Sequence, residues 1–316
     1  MIIIREATID DVEKIVEIHK SDVKKWYKIE DNGLVEANYD ELSIDERWLH
    51  GGQWMSKETY LHHFRNFTSW GGKILVAVLN GEVVGEIEFI DVEEPEPYGE
   101  HVSVYVLMIH QRVRGKGVGK ELMKAVEKCA KEKGIKKILV NSEERSLGFY
   151  RKIGYGIFEA YTSIEIKINT ENIGDIGSLH YEPLTGIDET AVYARRLIVG
   201  RFLDTKSTLY NIKIKFPLTE LSLKFFYFKL FDNHCTHFIV FRKSNMINHS
   251  LYSWLDIKYG DWETMSNVIK SALSIGEKIG LDKVLTCVPS RSLDRLRKNG
   301  VKFKEIEKIP IFVKYL

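Results

Sequence analysis

Apolar and polar positions alternate along the first half of the chain in a pattern that predicts strands and helices in a definite order. The run Ile2-Ile3-Ile4 predicts a first strand, and Asp10-Asp11 precede an apolar-periodic segment that predicts a helix. Two further runs, Lys73 to Leu79 and Val83 to Ile90, predict the second and third strands. They flank Asn80-Gly81, a dipeptide that is typical of a tight hairpin turn.

A glycine-rich turn joins the fourth predicted strand to a long amphipathic helix. The strand runs from Val102 to Ile109, the turn is Arg114-Gly115-Lys116-Gly117-Val118-Gly119, and the helix runs from Lys120 to Lys133, where Gly134 ends it. Glycine permits close backbone approach and conformations closed to other residues. The first N–H groups of a helix carry partial positive charge. The sequence therefore predicts a backbone cradle for a pyrophosphate group.

Two other phosphate-binding patterns do not fit this turn. A P-loop requires Lys-Ser or Lys-Thr after its last glycine, whereas Gly119 is followed by Lys120-Glu121. A dinucleotide-binding fingerprint has the spacing Gly-x-Gly-x-x-Gly, whereas these glycines fall as Gly-x-Gly-x-Gly. A glycine-rich loop that binds no ligand is the remaining alternative.

The segments after this helix complete a recognisable order of elements. Lys137 to Val140 predicts a buried fifth strand, and Arg145 to Lys152 predicts a short helix. Arg114, Gly117 and Gly119 match the Arg-x-x-Gly-x-Gly signature of the GNAT acetyltransferases, and the segment from Phe149 to Tyr155 resembles that family's Tyr-x-x-x-Gly-Phe. Taken in family order, the resemblance covers residues 1 to about 168.

The resemblance implies a fold and an activity. The implied fold class is α/β, of the α+β type with a mixed sheet. The implied activity is that of an acyltransferase that moves an acetyl group from acetyl-CoA to a primary amine, by direct attack in a ternary complex. A catalytically silent acyl-CoA-binding protein with a regulatory or assembly role is an alternative, because the glycine turn fits both. A protein N-terminal or lysine acetyltransferase is another.

The resemblance also implies where acetyl-CoA binds. A backbone N–H at the end of the fourth strand would bind the carbonyl oxygen as negative charge develops there. Many family members have Asn seven positions before the Tyr; here that position is Glu143, and Asn141 lies two residues earlier. The expected cofactor-binding residues are Met108, Ile109, Val113, Arg114, Gly115, Lys116, Gly117, Val118, Gly119, Lys120, Asn141 and Glu143.

Tyr150 matches the family's tyrosine that protonates the departing thiolate. It lies on the short helix after the fifth strand, which would direct its hydroxyl toward the sulfur. The alternative at this position is an aromatic residue that only packs.

Candidates for the general base lie on the third and fourth predicted strands. Glu86 and Glu88 share a face of the third strand because they are two positions apart, and paired carboxylates raise at least one pKa. His101, Ser103 and Tyr105 share a face of the fourth strand. Glu86 and His101 are the expected catalytic pair, and a solvated polar face is the alternative for each.

Acidic and aromatic residues are concentrated between Glu30 and Trp48, where the early helices are expected to form a wall of the acceptor cleft. Asp91, Glu93, Glu94 and Glu96 repeat the bias in the loop after the third strand. Such residues would attract a cationic amine, so we expect a small cationic acceptor. An ordinary solvated loop is the alternative.

The second half repeats part of the first at an offset of 146 residues. Gly134 to Leu139 falls on Gly280 to Leu285, and Arg145-Ser146-Leu147 falls on Arg291-Ser292-Leu293. Self-similarity at one fixed offset indicates a duplicated unit, with an unrelated α/β domain as the alternative. The remaining pattern predicts a strand at Leu251 to Tyr259, a helix at Trp262 to Lys278 and two closing strands within Lys302 to Tyr315.

The second copy lacks the residues of the glycine turn. At the same offset Arg114 falls on Gly260, Gly117 on Glu263, Gly119 on Met265, and Tyr150 on Leu296. A glutamate would repel a pyrophosphate, and side chains would block close backbone approach. The sequence therefore predicts two GNAT-like domains in tandem: an intact one at 1–169, a linker at 170–186, and a degenerate copy without a cofactor loop at 187–316.

Composition and charge narrow the class of protein. A formal net charge of +1 over 316 residues gives no broad basic surface, which argues against nucleic acid as a partner. Three cysteines, Cys129, Cys235 and Cys287, cannot form a complete disulfide framework, which fits a cytoplasmic enzyme. We expect no signal peptide, no membrane span and a monomer or homodimer. We expect no metal either, because the cluster from His234 to His237 lacks a second ligand set.

Overall fold

The structure of the protein is a computed structural model. It describes residues 1–30, 33–173, 180–186, 204–214, 216–218, 224–231, 236–243, 250–254 and 262–316.

The described strands and helices are numbered here in chain order. The strands are β1 (Ile2–Glu6), β2 (Trp26–Glu30), β3 (Gly33–Ala37), β4 (Lys73–Leu79), β5 (Glu82–Glu93), β6 (Glu100–Ile109), β7 (Lys137–Asn141), β8 (Gly156–Lys167), β9 (His180–Leu184), β10 (Lys224–Phe231), β11 (Thr236–Lys243), β12 (Ser250–Trp254), β13 (Lys283–Pro289) and β14 (Lys304–Tyr315). The helices are α1 (Val12–Lys20), α2 (Ile44–Leu49), α3 (Lys57–Ser69), α4 (Val118–Glu132), α5 (Leu147–Lys152), α6 (Thr170–Ile173), α7 (Thr205–Lys213), α8 (Trp262–Lys278) and α9 (Leu293–Lys298).

The elements of the first half follow the predicted order. The five predicted strands correspond to β1, β4, β5, β6 and β7, and the helices that follow the last two are α4 and α5. Asn80 and Gly81 both have positive φ, of 53° and 83°, and Leu79 pairs with Glu82 across the turn, so the predicted tight hairpin is confirmed. The hairpin formed by β2 and β3 was not anticipated from the sequence pattern.

Helix α4 buries the predicted apolar stripe against the sheet. Leu122, Val126 and Ala130 are fully buried in one core with strand residues of β5 to β7. Gly134 ends the helix with a φ of +77°, and the next N–H, that of Ile135, bonds back to the carbonyl of Ala130. The helix is thereby fixed beneath the strands with its first turn at the end of β6.

The two halves share one mixed eight-stranded sheet in the order β1-β4-β5-β6-β7-β14-β8-β13. Strand β14, the last of the second half, pairs with both β7 and β8 of the first. Strand β8, the last of the first half, pairs in turn with β13 of the second. The last strand of each half therefore pairs with strands of the other half. The two halves share strand pairing within one sheet, and do not merely meet at two sheet edges.

The structure differs from two sequence-based expectations about the second half. Within residues 302–315 the structure has the single strand β14 (Lys304–Tyr315), not two closing strands, because the strand continues beside β8 and β7 without a turn. Residues 170–186, expected to be a linker, contain α6 and β9, and β9 pairs with β10 at the edge of a four-stranded sheet in the order β12-β11-β10-β9.

The second half has its own hydrophobic core. Met265, Ile269 and Leu273 of α8 are buried in it with residues of β10, β11 and β13. Helix α7 belongs to the same half of the chain, yet Tyr210 is buried against Phe67 of α3 in a cluster with β4 and β5 residues. Helix α7 therefore lies against the first half.

Candidate functional site

The glycine turn has the backbone conformation that the sequence pattern requires. Gly115 and Gly117 have φ of +81° and +84°, a region that costs an L-residue roughly 1–2 kcal/mol. Gly117 is the N-cap of α4. A Cβ on Gly119 would lie 3.2 Å from Cζ of Phe149, so this position is crowded as well. The turn thus presents the first N–H groups of α4, which lack partners within the helix, toward open space.

Strands β6 and β7 are parallel neighbours only at their beginning. Their pairing runs from Val102–Ile138 to Val104–Val140 and then stops. Tyr105 has no partner in the pairing of β6 with β5, so β6 has a β-bulge there, directly after its pairing with β7 ends. The rest of β6, to Ile109, therefore borders an opening between the strands.

A cleft of about 1140 Å³ occupies this opening. Twelve of the sequence-predicted residues line it: Met108, Ile109, Val113, Arg114, Gly115, Gly117, Val118, Gly119, Lys120, Asn141, Glu143 and Tyr150. Lys116 belongs to the same turn but does not line the cleft. The structure thus brings together the glycine turn, both strand ends and the tyrosine that the sequence had singled out.

Ion pairs cross the cleft between the turn and the end of α1. Arg114 lies 2.8 Å from Asp22, and its Nε donates to the carbonyl of Ile109 at 3.1 Å. Arg145 lies 3.2 Å from the other oxygen of Asp22 and also contacts Glu143. Burial raises the pKa of Asp22, but the two guanidiniums outweigh it, so the net pKa is lowered and the carboxylate is ionised at neutral pH.

Tyr150 is held rigidly at the cleft. Its side chain is buried, its ring stacks on Phe312 of β14 at a centroid distance of 4.9 Å, and its hydroxyl bonds with Ser142. Burial raises the pKa of Tyr150 well above its ordinary value, although Ser142 partly opposes this. The hydroxyl is therefore protonated throughout the physiological range and can serve as a donor.

Glu86 is fully buried behind the cleft wall. Tyr60 donates to one of its oxygens at 2.8 Å, and the other is hydrogen-bonded to Nε2 of His19, whose side chain lines the cleft. Burial and the neighbouring Glu88 raise the pKa of Glu86 well above its ordinary range. Burial lowers the pKa of His19 to about 3, so the imidazole is neutral at physiological pH.

Glu88 continues this buried polar group. It accepts from Nε1 of Trp54 at 3.0 Å, and Nε2 of His63 lies 2.9 Å from its second oxygen. Tyr60 lies between the two carboxyls, 3.3 Å from Glu88. Sequence reasoning found the carboxyls but missed His19, Trp54, Tyr60 and His63. The only sequence signal for such residues is that polar side chains interrupt the otherwise apolar faces of α1 and α3.

The structure does not pair Glu86 with His101. Strands β5 and β6 are antiparallel, so Glu86 lies opposite Met108 at the cleft, whereas His101 lies opposite Val92 at the far end of the sheet. His101 is buried there, with Nδ1 bonded to the carbonyl of Gly99. The alternation along each strand correctly predicted that Glu86 and His101 lie on the same side of the sheet. It did not show that they lie at opposite ends of the two strands.

The acidic stretch does not form the cleft wall that was expected. None of its described residues lines the cleft. Strands β2 and β3 pair with each other as a hairpin, and several of the acidic side chains bind to residues close to them in the chain. Glu36 pairs with Lys25, and Glu46 caps α2. In the following loop Glu94 binds Thr205 of α7. The wall is provided instead by His50, Gly51, Trp54 and Met55.

The residues that the offset of 146 aligns with the glycine turn are only partly described. Gly260 lies outside the described residues, as do His234 and Cys235 of the cluster weighed as a metal site. Met265 and Leu296, the counterparts of Gly119 and Tyr150, are buried in the second core. Within the described ranges no three His, Cys, Asp or Glu residues are grouped to hold a metal ion. In those same ranges no helix is both long and apolar enough to cross a membrane.

The chain is similar to one known protein family and to several solved structures. Residues 35–155 match the model of the acetyltransferase (GNAT) family. A GCN5-related N-acetyltransferase from Anabaena variabilis superposes with a TM-score of 0.64 at 11% identity, over 100% of this chain and 73% of that one. One from Kribbella flavida gives 0.59 at 14%, over 100% and 71%. A tandem GNAT protein from the clavulanic acid biosynthesis pathway gives 0.56 at 11%, over 100% and 98%.

The splayed strands and the glycine turn at the head of α4 define a mixed α/β fold of the GNAT acyltransferase type, and the structural similarities agree with that fold. The match of residues 35–155 to the GNAT family model falls on the part of the chain that carries the glycine turn and the end of β6.

Proposed function

We propose that this chain is an N-acetyltransferase that moves an acetyl group from acetyl-CoA to a primary amine. One observation carries the proposal. The glycine turn, the splayed end of β6 and the buried hydroxyl of Tyr150 all line the same cleft. A phosphate cradle, a row of backbone groups and a proton donor are the three parts that acyl transfer from a phosphorylated carrier needs.

The residues at the cleft fit acetyl-CoA, which would supply an acetyl group activated as a thioester. Gly115 and Gly117 leave open space where side chains would stand, and the first turn of α4 offers N–H groups to a pyrophosphate. Arg114 adds positive charge beside them. The backbone of Met108 and Ile109, beyond the pairing with β7, is available to hold a carbonyl oxygen.

Proton transfer is assigned to two groups on opposite sides of the cleft. Tyr150, which stays protonated because its pKa is raised, donates to the departing thiolate. His19, neutral and hydrogen-bonded to Glu86, relays the proton of the acceptor ammonium to water in the cleft, because its lowered pKa does not let it keep that proton. His19 is the member that lines the cleft, and it replaces His101 in the pair expected from the sequence.

The acceptor end of the cleft suits a small cationic amine. His19, Trp54 and Tyr105 line it, and the carboxyls of Glu86 and Glu88 lie directly behind His19 and Trp54. The faces of aromatic rings attract an ammonium group. The cationic preference therefore rests on the aromatic residues at this end of the cleft and not on the acidic stretch of residues 30–48.

We propose further that only the first half binds acetyl-CoA and that the second half is a degenerate copy. The supporting observation is that Met265 and Leu296 are used as core residues in the second half. One molecule of acetyl-CoA should bind per chain.

A thiol-release assay over a panel of primary amines tests the activity. Polyamines, amino sugars, amino acids and peptides with free N-termini or lysines should be compared at one acetyl-CoA concentration. Release with a small cationic amine supports the proposal. Tight acetyl-CoA binding without release for any amine would favour a silent acyl-CoA-binding protein, and release with peptides alone would favour a protein acetyltransferase.

A further inference from the structure

Helix α7 of the second half covers the polar face of β6. Its N-cap residue Asp204 accepts from the hydroxyl of Ser103 at 2.7 Å, and Thr205 donates through its N–H and hydroxyl to Glu94 at 2.9 Å. Two turns along, Asn211 donates to the hydroxyl of Tyr105 at 2.7 Å. The side of β6 that carries Ser103 and Tyr105 is therefore in contact with the second half of the chain.

Tyr210 extends this contact to the buried carboxyls. It is fully buried, and its hydroxyl lies 2.7 Å from Nδ1 of His63 and 3.3 Å from the carbonyl oxygen of the same residue. Its ring packs edge-on against Phe67 at 5.5 Å. A tyrosine hydroxyl that is removed from water in this way must be satisfied by the protein, and His63 does so.

From His63 the hydrogen bonds run to the cleft wall. Its Nε2 lies 2.9 Å from one oxygen of Glu88, and Nε1 of Trp54 donates to the other at 3.0 Å. His63 and Glu88 have no solvent exposure, and the indole of Trp54 lines the cleft beside His19. Three hydrogen bonds in series thus join α7 to the acceptor end of the cleft.

We infer that Tyr210 is a positioning residue for the proposed transfer, acting through His63 and Glu88 on Trp54. The inference rests on the proposed function. When Nε2 of His63 carries the only ring proton, Tyr210 donates to Nδ1. When both nitrogens carry protons, Tyr210 accepts from Nδ1 and donates to the carbonyl oxygen of His63. The contact of His63 with Glu88 therefore persists in both protonation states, and the second half of the chain fixes the cleft wall.

The test compares Tyr210→Phe with wild type in the full chain. Removal of the hydroxyl leaves Nδ1 of His63 buried without its partner. We expect kcat/KM for the amine to fall by on the order of tenfold, while KM for acetyl-CoA stays unchanged. Tyr181→Phe is the matched control, because its hydroxyl bonds with Lys278 in the second half, and it should leave all these values unchanged.

A double-mutant cycle and a spectroscopic measurement separate positioning from general stability. If Tyr210 acts through His63, adding Tyr210→Phe to His63→Gln should cause little further loss. The indole N–H resonance of Trp54, assigned with Trp54→Phe, should lie at a different chemical shift in Tyr210→Phe than in wild type at the same pH. This readout does not depend on turnover.

The outcomes distinguish the two claims. Wild-type kcat/KM in Tyr210→Phe together with an unchanged Trp54 indole resonance, or fully additive losses with His63→Gln, would overturn the positioning role while the proposed function stands. A wild-type chain that transfers acetyl to no amine would overturn the proposed function and the positioning role of Tyr210 together, whatever the Trp54 resonance shows.

Discussion

Asp22 lies 2.8 Å from the guanidinium of Arg114, so the arginine that opens the glycine turn is already paired with an anion. The same carboxylate holds Arg145 on the other side of the cleft. A phosphate group that uses these arginines must compete with Asp22. The ion pair therefore sets part of the affinity for acetyl-CoA before any ligand arrives.

The first prediction concerns this competition. Asp22→Asn should tighten acetyl-CoA binding by up to about fivefold at low salt, because partly exposed ion pairs are worth roughly 0.2–1 kcal/mol. Isothermal titration calorimetry gives the Kd. Glu82→Gln is the control, since it removes the nearby pair with Arg112, outside the cleft. An unchanged or weaker affinity in Asp22→Asn would show that Asp22 does not compete with the ligand.

The second prediction separates backbone strain from ligand binding. Gly117→Ala and Gly134→Ala place a methyl group at the two ends of α4, with φ of +84° and +77° and no crowding atoms within 4 Å. Both should cost roughly 1–2 kcal/mol of stability in thermal unfolding. Only Gly117→Ala should weaken acetyl-CoA binding, because its Cβ enters the cradle. Equal affinity in the two variants would remove the turn from the binding site.

The third prediction tests the proton donor. Tyr150→Phe should lower kcat by on the order of 10²-fold with little change in acetyl-CoA affinity, the size expected of a general acid. Tyr155→Phe is the control, because Tyr155 is also buried and its hydroxyl bonds with Glu127 at 3.3 Å. If chemistry is rate-limiting and Tyr150→Phe retains full kcat, the thiolate takes its proton from elsewhere.

The fourth prediction concerns pH. Because the pKa of Glu86 is raised, the folded chain keeps a proton that the unfolded chain loses near 4.5, so the contribution of Glu86 to stability falls as the pH rises above that value. The Tm of wild type relative to Glu86→Gln should therefore decline as the pH rises above 4.5.

An exposed carboxyl provides the comparison for this measurement. Lys57 lowers the pKa of Glu13, so the contribution of Glu13 is lost only at acid pH, and Glu13→Gln should give a constant Tm difference over the same interval. The lowered pKa of His19 acts in the opposite direction to Glu86, since its contribution is lost as the pH falls below 6.5 toward about 3. A Tm difference for Glu86→Gln that does not vary with pH would mean that Glu86 is ionised in the folded chain.

The fifth prediction concerns truncation after Asn169. The fragment lacks β14, which lies between β7 and β8, and it also loses Phe312 from beneath Tyr150. It should unfold at a lower temperature and aggregate through unpaired strand edges. Light scattering and thermal unfolding measure both effects. A monomeric fragment as stable as the full chain would mean that β8 can pair directly with β7.

Local features of the fold could be predicted from the sequence. The hairpin at Asn80-Gly81, the turn at Gly117 and the end of α4 at Gly134 depend on backbone conformations that few residues adopt, so single positions indicate them. The cofactor side of the site followed from the same signals. Its residues are close together in the chain, between Met108 and Lys120, with Tyr150 one strand later.

The acceptor side depends on contacts between distant segments, and the sequence pattern did not indicate them. His19 meets Glu86, and His63 meets Tyr210, only because α1, α3 and α7 pack on the same sheet. The exchange of β8 and β14 is of the same kind, since either strand could equally have paired within its own half. The periodicity of apolar residues and the strand propensity of a segment do not determine which of two equivalent strands it pairs with.

The exchange of closing strands also imposes an order of events during synthesis. The first half cannot complete its sheet until β14, which ends at Tyr315, has left the ribosome, although β8 ends at Lys167. At ordinary elongation rates this interval is on the order of ten seconds, far longer than a hairpin needs to form. Throughout that time the facing edges of β7 and β8 lack the strand that joins them in the complete sheet. The sheet of the first half therefore closes only after the second half has been synthesised.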